Sequence, residues 1–497
     1  MNRIKIDPDR VIGEIDRNIF GLFKENRPMY KENGIYQPSS KFADEDGFRS
    51  DVIEAAKRLK CPILRCVGGN TISGYRWMDG IGPKEERPSW YDLAWNLVDY
   101  NQIGTNEYIK FCRKINAEPY FVVNCGDGNM REAADWVQYC NGTQDTALVK
   151  LRKKHGFEQP HNIKYWGIGN EVDGHWQIGY KTAEEYVRAY TEYAKVMKWS
   201  DPSIKFIAAY ISGWRKNDFV ERGKLLLEQA AEFIDYMAIH WYAGNPGAAG
   251  RDMPGTKGKS AADFEALMAV SEIFDERIEA TEGIIKACKI EHSIKKKIDI
   301  AVDEWAIRHQ QEIDVDSPQR VQDALASAIN FNSIIRHADT VKMANHSGLS
   351  RRLVLPGPDG LLIQSSFYPF ELYSNKCGAL SLDAYWDGDT FSGWDRTGLR
   401  TLDMCATLTP STKDLTLFVV NRSGDKTQET VISLVDAEFS GELSLKILNG
   451  PDINSANTFE NPNVVGVKDS TLKAGGKSVT CSFEPHSLTV ISGKLGK

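Results

Sequence analysis

Between residues 18 and 375, short apolar runs alternate with longer stretches whose apolar positions fall on one face of a helix. The runs at 19–25, 62–67, 119–124, 163–168, 204–210, 234–241, 298–302 and 340–344 have the length of strands. Helical patterns lie between most of them. One covers 49–60, with Val52, Ala55, Ala56 and Leu59 on its apolar face. Another covers 183–199, with Tyr186, Ala189, Tyr190, Tyr193, Ala194 and Met197. Repeated β-then-α units predict a parallel sheet, and eight of them favour a closed (β/α)8 TIM barrel over an open doubly wound sheet. After residue 377 the pattern changes. Runs at 415–421, 429–434, 441–448 and 487–492 alternate with period two and are separated by Gly, Asn, Asp and Ser, which predicts a C-terminal antiparallel β-sandwich. The first segments, 3–6 and 11–15, are β-like as well and are expected to join that sandwich, because chain ends often lie close together. The expected organisation is N-terminal strands over 1–17, a barrel over 18–376 and a sandwich over 377–497.

Composition narrows the function classes. With 497 residues, 41% of them hydrophobic, the chain can bury a large core. A net charge of −7 argues against a nucleic-acid partner, which would call for a basic surplus. The nine cysteines are scattered and include no CxxC pair, so they predict buried reduced thiols rather than a metal or redox site. The start, MNRIKIDPDRVIGEID, lacks the apolar core of a signal peptide, and no apolar run reaches the ~20 residues of a membrane span. A cytoplasmic protein without a membrane partner is expected. No Walker loop is present, and Gly167-Ile168-Gly169 lacks the third glycine and helix start of a dinucleotide fingerprint, so no cofactor is implied.

Chemistry-bearing residues collect where the predicted strands end. These are Glu25-Asn26, Gly68-Gly69-Asn70, Asn124, Asn170-Glu171, His240-Trp241-Tyr242, Asp303-Glu304 and Asn345-His346. In a barrel such ends converge on one mouth. Glu171 and Glu304 would stand on the fourth and seventh strands, across that mouth. Retaining glycosidases place two carboxyls about 5–5.5 Å apart, one attacking and one donating a proton. Glu304 would attack as a carboxylate, with Arg65 at the end of strand two as the cation that keeps it ionised. Glu171 would begin protonated, its pKa raised by the charge of Glu304. It would ionise once that charge is lost in the glycosyl ester.

At Gly169-Asn170-Glu171 and Asp303-Glu304-Trp305 the chain resembles the α-L-arabinofuranosidases of glycoside hydrolase family 51. The likeness extends over residues 64–83, LRCVGGNTISGYRWMDGIGP, over Asp92-Leu93-Ala94-Trp95, over Tyr165-Trp166-Gly167-Ile168 and over His240-Trp241-Tyr242-Ala243. It implies Glu171 as acid/base, Glu304 as nucleophile, and Glu25, Asn70 and Asn170 as groups that hold sugar hydroxyls. It further implies Arg65 and Tyr242 as residues that orient the nucleophile, Trp95 as a pocket wall, a jelly-roll second domain, no metal, and often a hexamer. His240 is expected to support the nucleophile from within the site, and Asn345, standing where a sugar-contacting Gln is usual, is expected with Tyr242 to bind substrate. Other departures are Asn26 for His, Cys66-Val67 for an aromatic-proline pair, and Ala306-Ile307-Arg308 after Trp305.

Bland readings compete at several positions. Asp303 is expected to be a structural partner, Trp95 and Trp305 fit a core as well as a pocket, and His175 and Trp176 are candidates for substrate contact. The leading expectation is an exo-acting retaining α-L-arabinofuranosidase acting on arabino-oligosaccharides or on fragments of arabinan or arabinoxylan. The alternatives are the same mechanism on another glycone, a hexofuranoside or a β-glucoside or β-xyloside, and a non-catalytic sugar-binding protein.

Overall fold

Each of the eight apolar runs overlaps a strand, and the strands close on one another in chain order. The barrel strands are Gly21–Lys24, Ile63–Cys66, Glu118–Val123, Tyr165–Ile168, Lys205–Ile211, Tyr236–Ala243, Asp299–Ile307 and Val341–Ser347. Every neighbouring pair is parallel. The computed structural model describes residues 2–24, 34–212, 218–243, 261–307, 318–393 and 396–496.

The helix Ala183–Ser200 shows how the sequence builds the outer ring. Thr182 and Glu185 form a reciprocal capping box that satisfies two backbone donors at its start. Tyr186, Val187, Tyr190, Tyr193, Ala194 and Met197 are buried against the barrel, each of the larger ones stabilising by roughly 1.5–3 kcal/mol. The Tyr186 hydroxyl donates to the Ile168 carbonyl and accepts from Ala209 N–H, both at 2.8 Å, tying strands four and five beside the turn that carries Glu171. Behind strands three and four an aromatic layer fills the helix–strand gap. There Trp136 stacks on Trp77 at 5.9 Å and meets Trp166 edge-on at 5.6 Å.

The C-terminal region forms one nine-stranded, largely antiparallel sheet that wraps a second core of Ile4, Ile6, Leu417, Val419, Ile432 and Phe483. The two N-terminal segments form a single irregular strand, Asn2–Glu14, lying antiparallel to Leu380–Asp387 and parallel to Gln428–Leu434. That parallel pair departs from the expected all-antiparallel pattern. The strand enters the sheet from the other end of the chain, so no hairpin fixes its direction. The opposite face of this sheet packs on the barrel helices, where Tyr373 stacks on Phe418 at 4.1 Å and Asn332 donates to Asp403 at 2.7 Å. All nine cysteines are free thiols.

Candidate active site

The C-terminal strand ends meet as expected, and the local backbone explains how each group is aimed. After strand four, Gly169 adopts φ +80°, and a Cβ there would lie 2.6 Å from Val172 Cγ1. Glu171 follows with φ +47°. A left-handed non-glycine residue costs of order 1 kcal/mol, and such outliers cluster at functional sites. Val67, at the end of strand two, has φ +49°, the one β-branched residue in this region of φ among the described residues. It leads into Gly68-Gly69-Asn70 and so belongs to the same rim.

Strand seven carries a bulge. Ala301 pairs with Ala238 and Glu304 with His240, three residues against two; against strand eight, Val302 pairs with Ala344 and Trp305 with His346. Strict alternation would send Asp303 and Glu304 to opposite faces. The extra residue breaks that alternation, so both consecutive carboxylates reach groups in the barrel interior.

Glu304 is held by Arg65 Nη1 at 2.8 Å and by the Tyr242 hydroxyl, which donates to its other oxygen. Arg65 Nη2 donates to Asn170 Oδ1 at 2.6 Å, which turns the Asn170 amide nitrogen towards Asn70 Oδ1 at 3.4 Å. Glu171 receives His240 Nδ1 at 3.0 Å on one oxygen and the Trp176 indole N–H at 2.6 Å on the other. His240 Nδ1 also lies 3.8 Å from Glu304. A ligating atom from each of Glu171, His240 and Glu304 lies within 4.8 Å of the other two. Apart from Asn70 and Trp176 these residues are buried, with Arg65 and Asn170 1% exposed and Glu171 9%.

Burial alone would lower the His240 pKa, but Glu304, Asp303 and Glu171 outweigh it and push it up to about 10. Burial would raise Asp303; the charge of Arg65 and the pairing with His240 outweigh that and hold it below the ordinary carboxylate range. Arg65 is raised by Asp303, Tyr120 and Glu304 against its own desolvation. Glu171, His240 and Glu304 could in principle ligate a cation, but Arg65 and a charged His240 already supply two positive charges to the same carboxylates. A metal ion would have to displace them.

The other expected residues fall as follows. His240 stands closer to Glu171 than to Glu304, 3.0 Å against 3.8 Å, because its strand pairs it beside the bulge with its ring between the two acids. Asn345 is fully buried and donates to the Leu22 carbonyl at 3.2 Å. It lies over Gly21, where a Cβ would come within 2.4 Å of its amide nitrogen. Its shorter side chain is spent on the barrel backbone. Trp305 is core: it lies fully buried against Phe331 at 5.0 Å and edge-on to His346 at 4.7 Å. Burial pushes the His346 pKa down to about 3, so that ring is neutral. Trp95 is half-buried at the turn of the hairpin Trp90–Asp92/Leu97–Asp99, which Asp92 ties to Thr71 at 2.9 Å. Glu25, Asn26 and Arg308 lie outside the described residues. Tyr120 was not singled out from sequence. Its hydroxyl donates to Asp303 at 2.8 Å, and the signal was Gly167 on the next strand, where a Cβ would crowd that hydroxyl at 2.9 Å.

Comparison with known proteins decides the family. A model described as the α-L-arabinofuranosidase 1 domain matches residues 55–253, and one for the α-L-arabinofuranosidase C-terminal domain matches 303–487. The chain is 34% identical over 98% of its length to an intracellular exo-α-(1→5)-L-arabinofuranosidase of Bacillus subtilis, covering 98% of that protein. The chain belongs to the α-L-arabinofuranosidases of glycoside hydrolase family 51. Within that family it is also 35% identical to an intracellular exo-α-(1→5)-L-arabinofuranosidase of Acetivibrio thermocellus, with 85% of each chain covered. The arabinose complex of the Thermotoga maritima α-L-arabinofuranosidase matches with a TM-score of 0.87 at 32% identity, covering 99% of each chain. The C-terminal model starts at Asp303, so the likeness runs through the bulged seventh strand and into the wrapped sheet.

Proposed function

We propose that this family 51 member is an exo-acting, retaining α-L-arabinofuranosidase that releases terminal arabinofuranose from arabino-oligosaccharides or from arabinan or arabinoxylan fragments. The observation that carries the reading is the pair Glu171 and Glu304, one carboxylate oxygen of each lying within 4.8 Å of the other. Inverting enzymes need about 6.5–9.5 Å to seat a water between two such acids, whereas retaining ones need about 5–5.5 Å. Glu304, clamped by Arg65 and Tyr242, attacks the anomeric carbon. Glu171 protonates the leaving oxygen. Water then enters against the glycosyl ester, with Glu171 accepting its proton. Asn170 and Asn70, linked to each other and to Arg65, supply groups for the sugar hydroxyls. Glu25 and Trp95 are assigned to the same subsite from the family pattern. Asn345 is not part of this set.

The relatives named intracellular and acting on α-(1→5) links support a cytoplasmic enzyme for imported oligosaccharides. The family pattern supports a homo-oligomer, a hexamer, which light scattering of the purified chain tests. An aryl-glycoside panel tests the substrate class. Arabinofuranoside should be turned over fastest; another glycone turned over tenfold faster would overturn the assignment.

A further inference from the structure

The bulge in strand seven brings a third carboxylate into the site, and its contacts give it more than a filling role. Asp303 is 3% exposed. Its Oδ2 accepts from Tyr120 at 2.8 Å and faces Arg65 Nε at 3.3 Å, and its Oδ1 faces His240 Nε2 at 3.2 Å. Oδ1 makes no well-angled hydrogen bond, so its pairing with the ring is electrostatic. The described charges thus alternate along one chain: Glu171, His240, Asp303, Arg65, Glu304.

A neutral imidazole has one N–H and one lone pair. Here both ring nitrogens face carboxylate oxygens, so a lone pair on Nε2 would point at a buried anion. We propose that Asp303 is a positioning residue: it fixes the proton of His240 on Nε2 and so presents Nδ1 to Glu171, making Glu171 and His240 two seats for the one proton the reaction uses. This deepens, and rests on, the assignment of Glu171 as acid/base. As the leaving oxygen departs it takes the C–O electron pair and the shared proton. In the same step Glu304 loses its negative charge to the ester. The net charge of the five groups is unchanged, so no buried charge has to be created. When water attacks the ester, its proton returns to the pair. The charged and titratable groups facing the ring among the described residues are Glu171 after strand four and Asp303 and Glu304 on strand seven. Arg65 and Tyr120 lie one contact further away.

Two seats hold a proton more firmly than one, so losing either should weaken that hold. The test is the pH profile of kcat/KM on an alkyl arabinofuranoside, whose alkoxide needs the proton, for wild type, His240→Asn, Asp303→Asn and the double variant. Each single variant should move the alkaline limb down by about one pH unit or more, a roughly tenfold loss at a fixed pH on that limb. Because Asp303 acts through His240, the double variant should move no further than His240→Asn. A limb that stays in place while only its height falls would mean a merely structural Asp303 and would overturn the proposal; so would shifts that add in the double variant. Should the asparagine variants fail to fold, nitrogen-15 NMR of the wild-type imidazoles reads the same feature, with His240 assigned by the signal lost in His240→Gln. Nε2 protonated from pH 5 to 9 supports the proposal, and a bare Nε2 at pH 7 defeats it. Failure of azide to rescue Glu171→Ala would instead overturn the acid/base reading itself, so the two failures are distinguishable.

Discussion

Two clusters in this molecule, each of three acids, one arginine and one histidine, do different work. The barrel mouth holds Glu171, Asp303, Glu304, Arg65 and His240. The junction between barrel and sheet domain holds Asp275, Glu282, Asp403, Arg336 and His337. In the second cluster Arg336 pairs with Asp275 at 2.7 Å and Asp403 at 3.2 Å, and its Nη1 also donates to the Met404 carbonyl at 2.9 Å. His337 places its two nitrogens 3.2 Å from Glu282 and 3.3 Å from Asp275. There Thr340, Ser333 and the Met404 carbonyl add hydrogen bonds, and Arg336 and His337 hold Asp275 and Glu282 below their ordinary pKa despite burial. The result is a lattice of paired charges at a helix C-terminus, a favourable place for cations, along the wall of a cavity of about 340 Å³. At the mouth the acids stand on strand ends, on a bulge and on a left-handed residue, with the half-exposed Trp176 as one partner. The difference teaches that three acids, one arginine and one histidine do not define an active site. What sets the mouth apart is the backbone that aims its acids: converging strand ends, a bulge and a left-handed residue bring Glu171 and Glu304 face to face.

That contrast can be broken in both directions. The largest effect is expected at the mouth: Glu304→Gln should lower kcat by at least about 10⁴-fold with little change in melting temperature. Glu171→Ala should cost less with an activated phenol leaving group, which needs little protonation, and added azide should restore turnover and give a glycosyl azide of retained configuration. At the junction the pattern should reverse. Asp275→Asn should lower stability by about 3 kcal/mol in denaturant titrations, because it leaves buried cations underpaired, while kcat of the folded enzyme stays within twofold of wild type. A smaller effect follows from His337. Burial opposes its charge, but Asp275 and Glu282 raise its pKa to about 9. A raised folded-state pKa gives stability that is complete below the unfolded value of about 6.5 and is lost as pH rises through about 9. The loss is of the order of 3 kcal/mol at most. Melting curves from pH 6 to 10 should show this decline, and His337→Asn should flatten it.

The barrel could be read from the sequence because burial on both faces leaves short, mostly apolar runs, such as 62–67 with Arg65 its one charge and 163–168 with Lys164 its one charge, that helical periodicity separates. Parts of the sheet domain could not be read this way. The strand Gly466–Lys473 is an edge strand whose residues are nearly all exposed or half-exposed, so no alternation marks it. In the site, Glu171 and Glu304 were legible because each sits in a short motif at a strand end. The role of Asp303 was not, because it depends on a bulge that no local pattern announces: by alternation its side chain belongs on the other face. Asn345 misled for a related reason. Its position is right, but a side chain one methylene shorter than the usual Gln reaches only the Leu22 carbonyl.

The central claim is a double displacement between Glu304 and Glu171, and the configuration of the first-formed sugar reads it directly. Proton NMR of an α-L-arabinofuranoside hydrolysed at high enzyme concentration should show the α-anomer appearing first, with the β-anomer growing in only by mutarotation. The β-anomer appearing first would contradict the account, because it would require a water between two acids that stand too close to admit one.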